Sequence, residues 1–296
     1  MRRRESVAFY LCIAPWIVGF ICFSAGPILA SFGLSFTDYN ITSPPVYVGL
    51  HNYSLMFGGD PLFWHSLKVT SIYTFSAVPL GLVFSLAIAV MLNQKLPGLT
   101  VWRVMYYLPN VVSGVAVALL WTLIFNKQFG LLNWLLYRLF GITGPGWISS
   151  KQWVLPSFVV MSLWGVGGPM VLYLAALQGV PTDLYEAGQI DGAGSWRRFV
   201  SITLPMISPT VLFNTVTAFI GTFQTFTTAF VMTNGGPENA SLFYGLYLYR
   251  NAFRYFKMGY AAAMAWVLFA LILVVTIVLL RSSSLWVYYE TGGKGI

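Results

Sequence analysis

The chain has 296 residues, 57% hydrophobic and only 8% charged, against about 25% charged in an ordinary soluble domain. With a mean hydropathy of +0.74, that balance excludes a soluble fold and predicts an all-α, polytopic membrane protein. The net charge of +8 is carried by 16 Lys and Arg residues scattered between apolar segments. That distribution suits lipid headgroups and argues against the continuous basic stripe of a nucleic-acid binder.

In chain order, Arg2, Arg3 and Arg4 precede an apolar run over 7–36. A secretory signal core has about 7–15 apolar residues, so this longer run predicts an uncleaved first crossing with its basic end in the cytoplasm. Five more apolar segments follow, near 67–92, 101–125, 153–178, 206–232 and 260–280. Each meets the requirement of about 20 residues for a membrane helix. Six crossings would put both termini on one side. With that side cytoplasmic, Arg2, Arg3, Arg4, Lys95, Arg103, Arg197, Arg198, Arg281 and Lys294 face inward, a weak majority of the 16 basic residues. The expected division is 1–66 as first helix and external loop, 67–281 as the membrane core, and 282–296 as a cytoplasmic tail. The longest connection, 37–66, is shorter than the roughly 40 residues at which an unstapled domain becomes plausible, so no separate soluble domain is expected.

Several chemistries find no residues to carry them. Cys12 and Cys22 share the first segment, about 15 Å apart along a helix and out of disulfide reach. His51 and His65 stand alone in a polar loop without metal-ligand spacing, so no metal site is expected. No G-x-x-x-x-G-K-[ST] phosphate loop occurs, and Gly292-Gly293-Lys294-Gly295 lacks both its spacing and a preceding strand. The interiors of the predicted crossings hold no Asp, Glu, Lys, Arg or His, which a proton relay needs. This weighs against a secondary transporter or channel for a small neutral solute, the principal alternative, and against a membrane-embedded enzyme. The driving force is expected from another polypeptide.

Two crossings carry polar features. The fourth contains Trp164-Gly165-Val166-Gly167-Gly168-Pro169, a break consistent either with a water-filled cavity or with a plain kink and tight packing. In the fifth, at about 100° per residue, Asn214, Thr217, Gly221, Gln224, Thr225 and Thr228 share one face, nearly opposite Phe219, Phe223, Phe226 and Phe230. Uncharged amides and hydroxyls suit the path of a neutral polyhydroxylated solute. They would equally serve bonds to other helices, each worth only ~0.6–2 kcal/mol.

Between those crossings lies DLYEAGQIDGAGSWRRFVSITLP, residues 183–205. It gathers Asp183, Glu186 and Asp191, three of the chain's eight acidic residues, and then Arg197 and Arg198. Asp183 and Glu186 have capping-box spacing, predicting a helix that starts at Asp183. Gly192, Ala193 and Gly194 predict a flexible joint, and Ser195 can cap a second helix.

The spacing of Glu186-Ala187, Gly192, Ile202 and Leu204-Pro205 resembles the EAA motif of permease subunits in binding-protein-dependent ABC importers, with Gly188 departing from the motif's second Ala. Trp102 to Pro109, Phe125-Asn126 with Phe129-Gly130, Thr233 to Pro237 and Met258 to Ala261 are similar to carbohydrate-uptake members of that family. The resemblance implies a type I importer permease core in a prokaryotic cell membrane, with both termini cytoplasmic. It implies a second permease subunit forming a heterodimer, two ATPase subunits that bind ATP and Mg, and an extracytoplasmic binding protein delivering a sugar or oligosaccharide. The chain itself would be a transport subunit without cofactor. Coupling to the ATPase would fall to Asp183, Glu186, Ala187, Gly188, Asp191, Gly192, Ala193, Arg197, Arg198, Leu204 and Pro205. By distance from the motif, sugar contacts fall near Trp164, Gly165, Ala218, Thr222 and Thr225. The turn Asn234, Gly235, Gly236, Pro237 would meet the binding protein.

Overall fold

In the computed structural model, residues 2–94 and 97–288 are described, with side chains from residue 9 onward. The side chains of Arg2–Arg4, Lys95 and the Gly292–Gly295 tail lie outside that set. The fold is all-α. The first crossing is α1 (Arg2–Phe20), a π turn (Ile21–Ala25) and α2 (Gly26–Leu34). After a two-residue antiparallel pairing of Thr37–Asp38 with Val46–Tyr47 come α3 (His51–Gly58) and α4 (Pro61–Leu92). Next are α5 (Leu99–Tyr107), α6 (Gly114–Ile124) and α7 (Leu131–Phe140), then α8 (Val154–Ser162) and α9 (Gly167–Gln178). The motif segment forms α10 (Thr182–Ile190), α11 (Ser195–Arg198) and α12 (Leu204–Met206). The chain continues through α13 (Ser208–Phe223), α14 (Thr227–Met232), α15 (Tyr244–Tyr249) and α16 (Met258–Ser283).

Three stretches are long and apolar enough to cross a membrane without a break: Phe9–Leu34, Pro61–Leu92 and Met258–Ser283. Three more are bent pairs. Leu99–Asn110 meets Gly114–Ile124 at 97°, Val154–Gly165 meets Gly167–Gln178 at 45°, and Ser195–Met206 meets Ser208–Met232 at 68°. The total is six where each pair is one span.

Proline explains two of the irregularities. The Gly26 N–H donates to the Ile21 carbonyl just before Pro27, and the Leu204 N–H donates to Phe199 just before Pro205. Proline offers no N–H to the carbonyl four residues behind it, and each helix absorbs that loss as one wide π turn.

Helix α4 starts six residues earlier than the apolar pattern suggests. Asp60 Oδ1 accepts the N–H groups of Leu62 (3.0 Å) and Phe63 (3.2 Å), capping a helix whose first residue is Pro61. His65 therefore sits in a helix, not in the expected loop, with Nε2 2.9 Å from the Asn239 carbonyl.

The chain forms two compact units, 1–63 with 247–270 and 64–246 with 271–296. These boundaries cut α4, α15 and α16. In the first unit Asp60 Oδ2 accepts both the Tyr247 hydroxyl (2.6 Å) and the Tyr260 hydroxyl (2.5 Å). Burial, and then the Asp60 carboxylate, raise the Tyr247 pKa above the tyrosine range. Asn52 donates to the Ser35 and Thr37 carbonyls, both at 2.9 Å. In the second unit, Ile88, Ala89 and Leu92 of α4 pack with Met170, Tyr173 and Leu177 of α9 in a buried cluster, and Tyr185 and Ile202 of the motif segment rest against it. Cys12 and Cys22 are free and exposed on the first crossing.

Candidate functional site

The motif segment is a pair of short helices clamped at their inner face. Helix α10 begins at Thr182, with Pro181 in the capping position and no side-chain cap, so the expected Asp183–Glu186 capping box does not form. Asp183 instead places its charge in the first turn, where the helix dipole favours it. The joint is also better defined than its glycines suggest. Ala193 N–H donates to Gly188 O (2.8 Å) and Gly192 N–H to Gln189 O (3.0 Å), with Gly192 at φ +73°. These are the two bonds of a Schellman stop, whose left-handed position strongly favours glycine. Ser195 is the first residue of α11, not its cap; Gly194 holds that place.

Tyr185 and Gly188 face inward. The Tyr185 hydroxyl lies 2.9 Å from Thr203 Oγ1. A methyl group at Gly188 would stand 3.1 Å from Ile202 Cδ1 and 3.4 Å from the Arg198 stem, so the departure from the motif's Ala accompanies a close approach of α10 to the π turn. Beside it, Asn93, Tyr185, Ser195 and Arg198 line a cleft of about 290 Å³. Asp183, Glu186, Ala187, Asp191, Gly192 and Arg197 are exposed, whereas Ala193, Arg198, Leu204 and Pro205 are half-buried. Sequence reasoning passed over two exposed apolar side chains on this segment, Ile190 (88% exposed) and Trp196 (76%). A large apolar residue in a charged connector was the available signal.

The second candidate region is the set of helix breaks. A 3-10 turn, Leu163–Gly165, interrupts the fourth crossing where the glycines predicted it. The freed backbone groups are met by Asn110, at the end of the Leu108–Asn110 turn that breaks the third crossing. With its amide assigned by its hydrogen bonds, Asn110 donates to Gly165 O (3.0 Å) and accepts from Gly167 N–H (3.2 Å) and Gly168 N–H (3.3 Å). Contact is so close that a Cβ at Gly167 would collide with the Tyr106 carbonyl oxygen and lie 2.8 Å from Tyr107 Cα. Trp164, 39% exposed, meets Trp121 edge to face at 6.1 Å. With Trp102 and Tyr106 these rings line a groove of about 500 Å³.

The fifth crossing corrects the uniform helical wheel. Helix α13 stops at Phe223, and α14 starts only at Thr227. Gly245 fits against this gap, since a methyl group there would stand 3.1 Å from the Thr225 carbonyl oxygen. From Thr217 to Phe223 the two faces separate as expected: Thr217 and Gly221 are exposed, as is Gln224 just beyond, while Phe219 and Phe223 are buried. Past the gap the register turns. Thr225, Phe226 and Thr228 are half-buried, as are Ala218 and Thr222 before it, and Phe230 is exposed. Asn214 is also placed differently from the open face, being buried and donating to the Pro169 carbonyl at 3.4 Å. Thr217 Oγ1 donates back to Phe213 O (2.9 Å), which occupies its proton but leaves its oxygen able to accept.

The turn at Asn234–Pro237 is closed on itself. Gly236 N–H donates to Thr233 O (2.9 Å), and the Ser241 hydroxyl contacts both Gly236 O (2.6 Å) and Thr233 Oγ1 (2.7 Å). Glu238 pairs with Lys151 at 3.0 Å across solvent-exposed surface. Among the described residues no group of three His, Cys, Asp or Glu is placed to hold a metal.

Known proteins resemble this one over nearly the whole chain. A probable ABC transporter permease, YesP of Bacillus subtilis, is 41% identical over 292 residues, 98% of this chain and 94% of that one. The lactose transport system permease LacF of Rhizobium radiobacter is 35% identical, covering 93% of this chain and 94% of its own. The trehalose/maltose transport system permease MalF of Thermococcus litoralis is 32% identical, covering 95% of each. A chain in the crystal structure of a bacterial alginate ABC transporter, complexed with an alginate pentasaccharide-bound periplasmic protein, superposes with a TM-score of 0.84 over 95% of each chain at 22% identity, a likeness of fold. Residues 18–284 match the family described as binding-protein-dependent transport system inner membrane component, and the chain belongs to that family of membrane-embedded transport permeases.

Proposed function

We propose that this chain is one of two membrane-spanning subunits of an ATP-driven importer for a neutral sugar or oligosaccharide. The single observation that carries the reading is the motif segment. It is a pair of short helices joined by a hydrogen-bonded stop, whose inner face packs against α4 and α9 through Tyr185 and Ile202 and whose outer face exposes Glu186, Ile190 and Trp196. In this reading the outer face docks into a cytoplasmic ATPase subunit, and the Schellman stop at Gly192 lets α10 and α11 move as one piece. A second permease, two ATPases holding ATP and Mg, and an extracytoplasmic binding protein complete the importer. The three bent pairs each count as one crossing, giving six, with both termini in the cytoplasm of a prokaryotic cell.

Sugar is favoured as cargo by the uncharged polar surface at Thr217, Gly221 and Gln224, by the aromatic groove beside Trp164, and by the cargo named for two of the relatives. The turn at Asn234–Pro237, braced by Ser241, serves as a contact for the binding protein. The test is uptake of labelled di- and oligosaccharides into proteoliposomes holding the full set of subunits. Accumulation that requires ATP, the binding protein and this chain is expected. Flux through vesicles holding this chain alone would overturn the assignment in favour of a channel or secondary transporter.

A further inference from the structure

We infer that Asn110 is a positioning residue for the solute path, a clasp that ties the break of the third crossing to the break of the fourth. This rests on the proposed function for the identity of the path, but the clasp itself stands on geometry.

A broken helix inside a membrane leaves carbonyls and N–H groups that lipid cannot satisfy. Here one side chain meets three of them, the Gly165 carbonyl and the Gly167 and Gly168 N–H groups. An amide suits this task because it presents donors and a strong acceptor in one plane without carrying charge. The opposite amide orientation would leave Asn110 a single 3.4 Å contact to Tyr107 O, so the network selects the clasping one. Gly167 is buried and admits no side chain against Tyr106 and Tyr107, which brings the two breaks to backbone contact.

The clasp sits at the open edge of the chain. Asn110, Trp164 and Gly165 are all exposed, and the groove lined by Trp102, Tyr106, Trp121 and Trp164 opens beside them. Fixing Gly165 therefore fixes the backbone that carries the Trp164 ring, an aromatic face suited to stack on a sugar ring. Asn110 is also the only amide in the predicted third crossing, 101–125. Its role is to hold Trp164 and Gly165 in register with the α5 end as the helices on either side move.

The experiment uses the assembled importer with Asn110→Leu, which keeps the shape and removes the bonds, and Asn110→Asp, which keeps only the acceptor. Hydrogen exchange of peptides covering 163–170 should speed about tenfold in Asn110→Leu, with a smaller change in Asn110→Asp and none over 174–180. Solute half-saturation for uptake should rise about tenfold while the maximal rate and the yield of assembled complex stay near wild type. Unchanged exchange over 163–170 overturns the clasp. Faster exchange with unchanged half-saturation overturns the positioning role. Faster exchange in Asn110→Leu, together with a wild-type importer that carries no sugar, would refute the proposed cargo while leaving the clasp in place.

Discussion

The motif segment and the helix breaks are both interruptions of a helical chain, yet they are held in opposite ways. The motif segment is stopped and restarted by its own neighbours: Gly192 and Ala193 return to Gln189 and Gly188, and Pro205 sets the π turn behind it. The breaks are held from far along the sequence. Asn110 closes a gap 55 residues away at Gly165, and Gly245 fits against the gap at Thr225. A locally closed element can travel as one piece, as the proposed coupling to an ATPase requires. A break held by a distant partner ties its two crossings together, and in the proposed solute path this keeps Trp164 and Gly165 in register with the end of α5.

Substitutions sharpen that contrast, beginning with the largest expected effect on stability. Gly167→Val forces side-chain atoms into the Tyr106 carbonyl, and the strain of pushing two backbones apart should cost about 3 kcal/mol. Thermal unfolding of the detergent-solubilised chain should show a clear loss, whereas a wild-type melting temperature would mean that the breaks are not in contact. Gly192→Val places a β-branched residue at φ +73°, with a cost of about 1–2 kcal/mol. Because nothing lies within 4 Å of a Cβ there, this variant should still insert and assemble while losing binding-protein-stimulated ATP hydrolysis. Normal stimulation would show that the stop plays no part in coupling. Gly188→Ala has Ile202 Cδ1 as its tightest neighbour; the end of a flexible side chain can give way, so a change within about 1 kcal/mol is expected by chemical denaturation. Glu186→Lys alters an exposed group and should move stability by less than about 0.5 kcal/mol. It should nevertheless abolish coupled hydrolysis, and retained coupling would remove Glu186 from the docking face.

The same contrast explains what was legible in the sequence. Hydrophobic runs gave the membrane fold and the segments long and apolar enough to cross, because lipid demands long apolar helices whatever their partners. The position of the fourth-crossing break was readable from Gly165, Gly167 and Gly168. The partner that closes it was not, since a lone Asn110 beside Pro109 gives no hint of what it faces. The fifth crossing shows the limit most plainly. Periodicity correctly opposed Thr217 to Phe219 and Phe223, and failed beyond Phe223, where Gly245 meets a gap in the helix that a uniform 100° step cannot contain. Asn214 was drawn to the interior by the Pro169 carbonyl, a contact across 45 residues. Likewise, Pro181 and Gly194 took the capping places that composition assigned to Asp183 and Ser195.

In the proposed importer, solute passes along the Thr217 side of α13 under control of the ATPase. Thiol labelling of the assembled importer, with Cys12 and Cys22 replaced, tests that path. In separate variants, Thr217→Cys and Gln224→Cys should react with a small water-soluble reagent at rates that change when nucleotide is trapped, and Phe219→Cys and Phe223→Cys should not react. Equal labelling of the two sets, or protection of all four, would contradict the account.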